Sequence, residues 1–492
     1  MISGSDLLKT LDSIQHPSVL VVGDFILDLY TWGDAERISQ EAPVIILRSD
    51  HSEYRLGGAG NVCQLVGGLE ANVTCAGVVG AGEDGKRVRS MLEERGVSCQ
   101  SLLVAVERPT TTKQRYIGRA ANRHPHQILR VDHEHRGAIT AETEDQLLQA
   151  ILPQLDQFDV ILISDYGKGV CTPRLLREVI SAAGTAGVPI VVDPINREDY
   201  TVYRGATAVT PNRREAEIAT GTSIDRPEEA LRAAAVLCEQ ADFEMAFVTL
   251  DRDGIALFVP GGEQNIFATR PRAVYDITGA GDMVLATIGV CLAANITPAG
   301  AAQLANVTGG LEVEQIGAAV IRRDEIRHHL TLEQQPAAAK VIDQTTLNNA
   351  LDACRARGQR IVFTNGCFDL LHVGHITYLQ QAATTGDLLV IGLNSDQSVR
   401  RLKGPKRPVI GQEDRAAILA ALACVDYVVV FDEETPENLI RTVRPDILVK
   451  GGDYRPEDIV GRDFVESYGG QVVVTPIVEG VSTTKILKIA AA

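Results

Sequence analysis

Asp276-Ile277-Thr278-Gly279-Ala280-Gly281-Asp282 puts three residues with little or no side chain directly before a carboxylate, and the apolar run Met283–Leu292 follows. Small residues let the backbone approach a ligand, and such a run reads as a buried helix. The amides of Gly279, Ala280 and Gly281 then stand at a helix N-terminus, where unpaired N–H groups and the macrodipole favour an anion. Asp282 falls in the first turn. A carboxylate there is a poor neighbour for a resting phosphate, but it can take a proton from a hydroxyl that attacks the phosphate. The stretch therefore reads as phosphoryl transfer from a nucleotide to an alcohol. A glycine turn opening an ordinary helix would carry the same letters.

A second constellation is Phe368-Asp369-Leu370-Leu371-His372-Val373-Gly374-His375, fed by the β-rich Ile361–Gly366. Two histidines three apart would line one face at the start of a helix continuing through Tyr378 and Leu379. They can donate hydrogen bonds to phosphate oxygens as charge spreads over an α-phosphate, and Gly374 lets a nucleotide lie against the backbone. Zinc would need more ligands than this neighbourhood supplies. Two histidines of a packed core remain the plainer alternative.

Other polar residues stand at predicted strand ends or in loops. Asp28 follows the β-rich Ser18–Gly23 and could accept two hydrogen bonds from sugar hydroxyls, or simply sit in a turn. Gly57-Gly58-Ala59-Gly60-Asn61 opens an apolar helix-like run. Lys113, Arg115, Arg119, Arg123 and Arg130 cluster between Thr110 and Arg130 in an otherwise acidic chain, either as a solvated face or to hold a second phosphate on a substrate. Lys168, in Ser164–Gly169, is a further phosphate candidate. Asn212-Arg213-Arg214-Glu215 offers amide and carboxylate oxygens suited to a hard Mg²⁺ that keeps much of its water shell. Phe247–Gly254, with Asp251 and Gly254 at its turn, is consistent with a nucleotide cleft leading to Asp282.

The elements that must position these residues alternate short β-rich runs with helical stretches from Ser18 to Leu330, which predicts a parallel sheet flanked by helices. Arg37–Arg55, polar with alternating Val44 to Leu47, suits strands protruding as a lid. Gly80–Gly85 matches the spacing of a dinucleotide-binding turn but lacks the acidic residue about 20 positions on, so it reads as a plain strand-to-helix turn. Residues 331–346 lose the periodic pattern and carry Pro, Ala and Gln, which predicts a linker between a first domain, 1–330, and a second, 347–492.

With 492 residues, 45% hydrophobic and 23% charged, the chain is long enough for two or three full cores. Its net charge of −17, from 47 basic and 64 acidic residues, argues against nucleic acid or anionic membrane as partner. Nine scattered cysteines without a C-x-x-C pair read as reduced core residues. The N-terminus has neither a basic n-region nor an apolar core, and no apolar run approaches the roughly 18 residues that span a bilayer, so a cytoplasmic protein is expected.

On these residues the first domain resembles the ribokinase-like sugar kinases. The resemblance implies Asp282 as catalytic base, Gly279 to Gly281 as anion hole, Gly57, Gly58 and Asn61 at the sugar, and Asn212 and Glu215 organising Mg²⁺ and the phosphates of ATP. The second domain resembles the His-x-Gly-His nucleotidyltransferases, specifically cytidylyltransferase-like members, with further matches at Lys403, Arg415, Lys450-Gly451-Gly452-Asp453 and Ser482-Thr483-Thr484-Lys485. This implies nucleotide contacts from Phe368, Lys403, Lys450 and Ser482 to Thr484, with Lys403 and Lys485 neutralising triphosphate and pyrophosphate. The implied architecture is α/β throughout, a ribokinase-like parallel-sheet domain with a small β lid followed by a smaller Rossmann-like one.

The order of the parts resembles the bifunctional heptose kinase and heptose-phosphate adenylyltransferase family of lipopolysaccharide synthesis. That family phosphorylates D-glycero-β-D-manno-heptose 7-phosphate at O1 and, after a separate phosphatase, adenylylates the 1-phosphate to ADP-heptose. Lys113, Arg130 and Lys168 are then candidates for the 7-phosphate. Sugar phosphates and ATP are the expected partners, with self-association a family tendency. A vitamin or polyol kinase fused to a cytidylyltransferase would share every motif. A synthetase-like activity lacks room for an anticodon module, and a non-catalytic sensor would not need Asp282 or His375.

Overall fold

The structure is a computed structural model and describes residues 4–119, 126–269, 279–313, 320–334, 337–356, 358–452 and 458–475. The chain forms two compact units, Met1–Thr331 and Leu332–Ala492. Residues 331–346, read as irregular, hold more structure than that. Helix Arg323–Gln334 runs into them, a 3-10 turn covers Ala337–Lys340, and the next helix starts at Gln344. The missed signal was a cap: Asp343 accepts the Thr346 N–H at 2.8 Å.

The first unit contains strands β1 (Ser18–Ile38), β2 (Ile45–Gly58), β3 (Asn72–Gly80), β4 (Ser98–Ala105), β5 (Thr111–Arg119), β6 (His126–His133), β7 (Val160–Ser164), β8 (Ile190–Asp193), β9 (Ala208–Val209), β10 (Met245–Thr249), β11 (Ile255–Phe258) and β12 (Gln264–Phe267). The main sheet runs β12-β11-β10-β9-β8-β7-β1-β3-β4. It is parallel from β4 to β10, with β11 and β12 antiparallel at the far edge. Its central strands are Val/Ile-rich because both faces are covered. Val19 and Val21 enter one core with Leu162 and Val191, whereas Leu20 and Val22 enter the other with Ile161 and Ile163. Helices Ala59–Gly68, Ala280–Ala293 and Pro298–Val313 close the first core, and Ala141–Ile151, Pro173–Ala186 and Pro227–Ala241 the second.

β1 has 21 residues and belongs to two sheets. Through Asp24 it pairs with β3 and β7; from Phe25 onward it pairs with β2 and β5, and β6 completes the lid. Asp28 therefore lies inside a continuing strand, not beyond a strand end as the sequence suggested. Its charge is matched by Arg115 across the lid at 2.6 Å, a pairing no local pattern reveals.

Gly254, between β10 and β11, has φ 104°, and a Cβ there would overlap the Phe267 carbonyl oxygen. Gly254→Ala is expected to cost about 2–3 kcal/mol through backbone strain and displacement of that strand. The urea midpoint followed by fluorescence of Trp32, the single tryptophan and in this unit, should fall; an unchanged midpoint would mean that the turn relaxes around a methyl group.

The second unit has a five-stranded sheet of β13 (Ile361–Gly366), β14 (Leu388–Asn394), β15 (Tyr427–Phe431), β16 (Ile447–Gly451) and β17 (Gln471–Thr475), ordered β15-β14-β13-β16-β17 and wholly parallel. An aspartate just before a strand recurrently secures the first amides of its neighbour. Asp387 accepts from Arg360, Asp426 from Leu389 and Asp446 from Ile361, at 2.6–2.7 Å. No helix among the described residues is long and apolar enough to cross a membrane.

Candidate active sites

An open parallel sheet leaves a crevice at the carboxyl ends of two adjacent strands whose connections depart in opposite directions. In the first unit that point lies between β1 and β7. Asp24 and Asp165 stand there, 1% and 6% exposed. The Asp24 carboxylate accepts the backbone N–H groups of Tyr166 at 3.0 Å, Lys168 at 2.9 Å and Val170 at 3.1 Å, so one side chain shapes the whole loop after β7. Asp165 accepts from the Tyr203 hydroxyl at 2.6 Å and from Gly167 N–H at 2.9 Å.

Helix Ala280–Ala293 points its N-terminus at this crevice, with Gly279 as its cap in the left-handed region at φ 101°. Asp282 lies in the first turn, 4% exposed. Its Oδ2 accepts from Asn61 Nδ2 at 2.7 Å and its Oδ1 from the Tyr166 hydroxyl at 3.0 Å. Burial raises its carboxyl to about 6, against the opposing pull of these two donors and of Lys113. Asp282 is thus ionised at neutral pH yet basic enough to accept a proton. Gly279, Gly281 and Asp282 share a cavity of about 590 Å³ with Asp165, Tyr166, Lys168, Asp193, Asn212, Glu215 and Arg136. Asp276 to Thr278 lie outside the described residues, and Ala280 begins the helix beside the cavity.

Asn212 caps helix Arg213–Thr220: its Oδ1 accepts Glu215 N–H at 3.0 Å while Glu215 Oε2 accepts Asn212 N–H at 2.8 Å. This reciprocal box fixes both side chains at the cavity wall. Burial raises the Glu215 carboxyl and pushes Asp193 well above the usual carboxylate range, with Glu215 and Asp282 adding repulsion. An oxygen-only donor set of mutually repelling carboxylates fits a hard divalent cation. Arg213, Arg214, Asp251 and Gly254 lie outside the cavity. Arg213 is held by Asp253 at 2.6 Å and by the Ile224 carbonyl at 2.6 Å, fastening the helix to the β10–β11 turn. Arg214 and Asp251 are exposed, and Gly254 is buried under that turn.

On the sugar side, Gly57 and Gly58 leave β2 against β1: a Cβ on Gly57 would meet Asp28 Oδ2, and one on Gly58 would overlap the Asp24 carbonyl oxygen. Asn61 opens the next helix and reaches Asp282 from a position 221 residues away. The basic cluster is mostly committed elsewhere. Arg115 pairs with Asp28, Arg119 with Asp50, Arg130 with Asp132, and Lys168 with Glu134, which also holds Arg136. Lys113 makes no ion pair among the described residues; its ammonium lies 5.1 Å from the centre of the Tyr166 ring, and burial lowers its affinity for a proton. Arg123 lies outside the described residues. Tyr166, Asp24, Asp165, Asp193 and Arg136 escaped the sequence reading. Asp165 follows and Asp193 closes a buried strand, and Asp24 ends the apolar run of β1; that position was the available signal.

In the second unit the connections diverge between β13 and β16. Phe368 has φ 43°, is 6% exposed and packs its ring edge 5.5 Å from His375, so it supports the histidine from the core. His372 caps helix Val373–Ala383, and the two imidazole centroids are 3.9 Å apart. Both Nδ1 atoms are buried with no hydrogen-bond partner among the described residues. Burial, then His372 and Lys403, push His375 down to about 4; burial lowers His372 as well. Lys450, at the end of β16, donates to Asn365 Oδ1 at the end of β13, and burial lowers it to about 8. Lys403 closes helix Asp396–Lys403 and is exposed.

Arg415 is not free for phosphate. It spends its donors on the carbonyls of Cys367, Asn394 and Ile410 and on Asp396, at 2.6–2.9 Å, and acts as an internal post. Arg407, missed from sequence, is anchored by Asp369 and keeps Nη2 buried without a partner among the described residues. Asp453 and Ser482, Thr483, Thr484 and Lys485 lie outside the described residues.

Comparison with known proteins joins the two sites. A family model described as pfkB family carbohydrate kinase matches residues 16–324, and one described as Cytidylyltransferase-like matches residues 363–489. The Bifunctional protein HldE of Syntrophotalea carbinolica is 47% identical over 478 residues, covering 97% of this chain and 96% of its own. That of Geobacter sulfurreducens is 48% identical over 471 residues, covering 96% and 95%. Among solved structures, Arabidopsis thaliana ribokinase complexed with ribose and ATP superposes with a TM-score of 0.52 at 18% identity, over 64% of this chain and 99% of its own. Escherichia coli phosphofructokinase-2 in complex with substrates and products gives 0.54 at 18%, over 65% and 100%. At that identity the superpositions bear on the fold alone.

Proposed function

This chain belongs to the HldE family of bifunctional proteins, a carbohydrate kinase joined to a nucleotidyltransferase, and from that premise we propose which residues carry each reaction. The first unit phosphorylates D-glycero-β-D-manno-heptose 7-phosphate at O1 with ATP. The second transfers adenylyl from ATP to the heptose 1-phosphate and releases pyrophosphate, yielding the ADP-heptose used for the lipopolysaccharide core.

In the kinase, Asp282 takes the proton of the O1 hydroxyl as the O1–phosphorus bond forms and the bond between the γ-phosphorus and the bridging oxygen breaks, leaving ADP. The amides of Gly279 to Gly281 receive the charge that develops on the transferring group. Asp28, Gly57, Gly58 and Asn61 orient the sugar. Lys113 meets the 7-phosphate, with Lys168 and Arg130 released from Glu134 and Asp132 to join it. Mg²⁺ bound with ATP neutralises phosphate charge, and Asn212 and Glu215 would hold it, directly or through water. The observation that carries this assignment is Asp282, buried, doubly hydrogen-bonded and raised to about 6 at a helix N-terminus.

In the second unit, a phosphate oxygen of the sugar 1-phosphate attacks the α-phosphorus of ATP and pyrophosphate leaves. His372, His375, Lys403 and Lys450 stabilise the added charge, and the chemistry requires position rather than a covalent protein intermediate. The apolar side chains that the lid exposes at Ile38, Val44, Ile45, Ile46 and Leu129 support self-association of the first unit.

Mass spectrometry of products distinguishes the two reactions. With ATP, the full chain should convert heptose 7-phosphate to a bisphosphate and heptose 1-phosphate to ADP-heptose, each without the other substrate. Turnover of neither, or a CDP product in preference to ADP when CTP competes with ATP, would reject the assignment.

A further inference from the structure

Tyr166 is the second residue after β7 and connects three parts of the kinase site. Its backbone N–H is held by Asp24 at 3.0 Å, its ring lies 5.1 Å from the Lys113 ammonium, and its hydroxyl donates to Asp282 Oδ1 at 3.0 Å. Asn61 supplies the matching donor to Oδ2 from the far side of the crevice. Two donors on separate elements, one per oxygen, fix the plane of the carboxylate and leave its remaining lone pairs for the substrate hydroxyl. A single donor would leave the group free to turn.

We infer that Tyr166 is a positioning residue for phosphoryl transfer: its hydroxyl aims the Asp282 carboxylate and holds it in the ionised form, and its ring ties that base to Lys113 of the sugar-phosphate pocket. The inference rests on Asp282 being the base. The phenol suits the task, because burial and the nearby Asp282 carboxylate push its ionisation well above the usual range, so it remains a donor at every working pH. The charged groups facing Asp282 are Lys113 from β5, which favours the carboxylate, and Asp28 from β1 and Asp193 from β8, whose charges oppose that of Asp282. Glu312, on helix Pro298–Val313, faces Gly279 from behind. Among the described residues, the groups that favour ionisation and touch the carboxylate are the two hydrogen-bond donors. Removing one of them should make it harder to ionise.

The test is Tyr166→Phe in the full chain. Phenylalanine keeps the N–H bonded to Asp24 and the ring beneath Lys113, and adenylyl transfer by the same preparation reports that the chain is folded. The acid limb of kcat/KM for phosphorylation is expected to move up by about one pH unit, about fivefold in rate near pH 6 and about tenfold well below it, with KM for ATP and sugar phosphate within about twofold at neutral pH. Tyr166→Leu, which also removes the ring, should show the same limb shift with a raised KM for the sugar phosphate. A limb that stays at the wild-type pH in both variants overturns the inference, whether kcat is unchanged or falls equally at all pH values. The underlying assignment fails by a different result, phosphorylation retained by Asp282→Asn, so the two failures are separable.

Discussion

Asp282→Asn should reduce phosphorylation of the heptose by about 10²–10⁴-fold, the usual contribution of a positioned general base, and leave adenylyl transfer within about twofold. The amide keeps the size of the carboxylate but cannot accept the O1 proton. With its oxygen toward Asn61 Nδ2 and its N–H₂ toward the Tyr166 hydroxyl, which can accept, it retains both partners. The loss should fall on kcat, because the base acts on the attacking hydroxyl in the transition state, with KM for ATP less affected. Its pH dependence provides a further check. In the wild type the base is active when ionised, so kcat/KM should decline as pH falls through about 6, the value of the ligand-free site. The residual rate of the variant should lack that limb. Steady-state kinetics between pH 5 and 9 measures both quantities.

The mirror result is expected for His375→Ala, a loss of about 10²–10⁴-fold in adenylyl transfer with phosphorylation within about twofold. Burial and the neighbouring His372 and Lys403 hold His375 near 4, so its imidazole is neutral at pH 7 in the ligand-free site. A triphosphate supplies the negative charge that the imidazole lacks a partner for. Nucleotide binding should therefore raise the proton affinity of His375, and isothermal calorimetry in buffers of differing ionisation enthalpy should show proton uptake that disappears in the variant. Alanine also removes the ring that lies tilted against His372, centroids 3.9 Å apart, and edge-on to Phe368. The intact kinase rate controls for a wider collapse. If either substitution silenced both reactions in a folded chain, the assignment of two independent sites would have to be abandoned.

Much of this was written in local sequence. Glycines before Asp282 and two histidines around Gly374 each mark a helix start, where unpaired amides favour anions, and the Asn212–Glu215 spacing marks a capped one. The Val/Ile runs required sheets covered on both faces. Tertiary structure decided which charges were already spoken for. Asp28 was expected past a strand end, yet β1 continues for ten more residues and pairs it with Arg115, so its proposed sugar contact would be made from within the lid, beside that ion pair. Lys168 and Arg130 rest on Glu134 and Asp132 and would have to leave them to reach a substrate phosphate, whereas Arg213 and Arg415 serve as internal fasteners.

Backbone conformation follows from neighbours a few residues apart, so the letters of a short motif determine it. Charge pairing follows from distance through the folded chain. Asn61, Tyr166 and Asp282 meet only because helix Ala59–Gly68, the loop after β7 and helix Ala280–Ala293 converge on one crevice. The sequence thus determined which chemistry the chain can perform, and the fold determined which of its charged residues are free to take part.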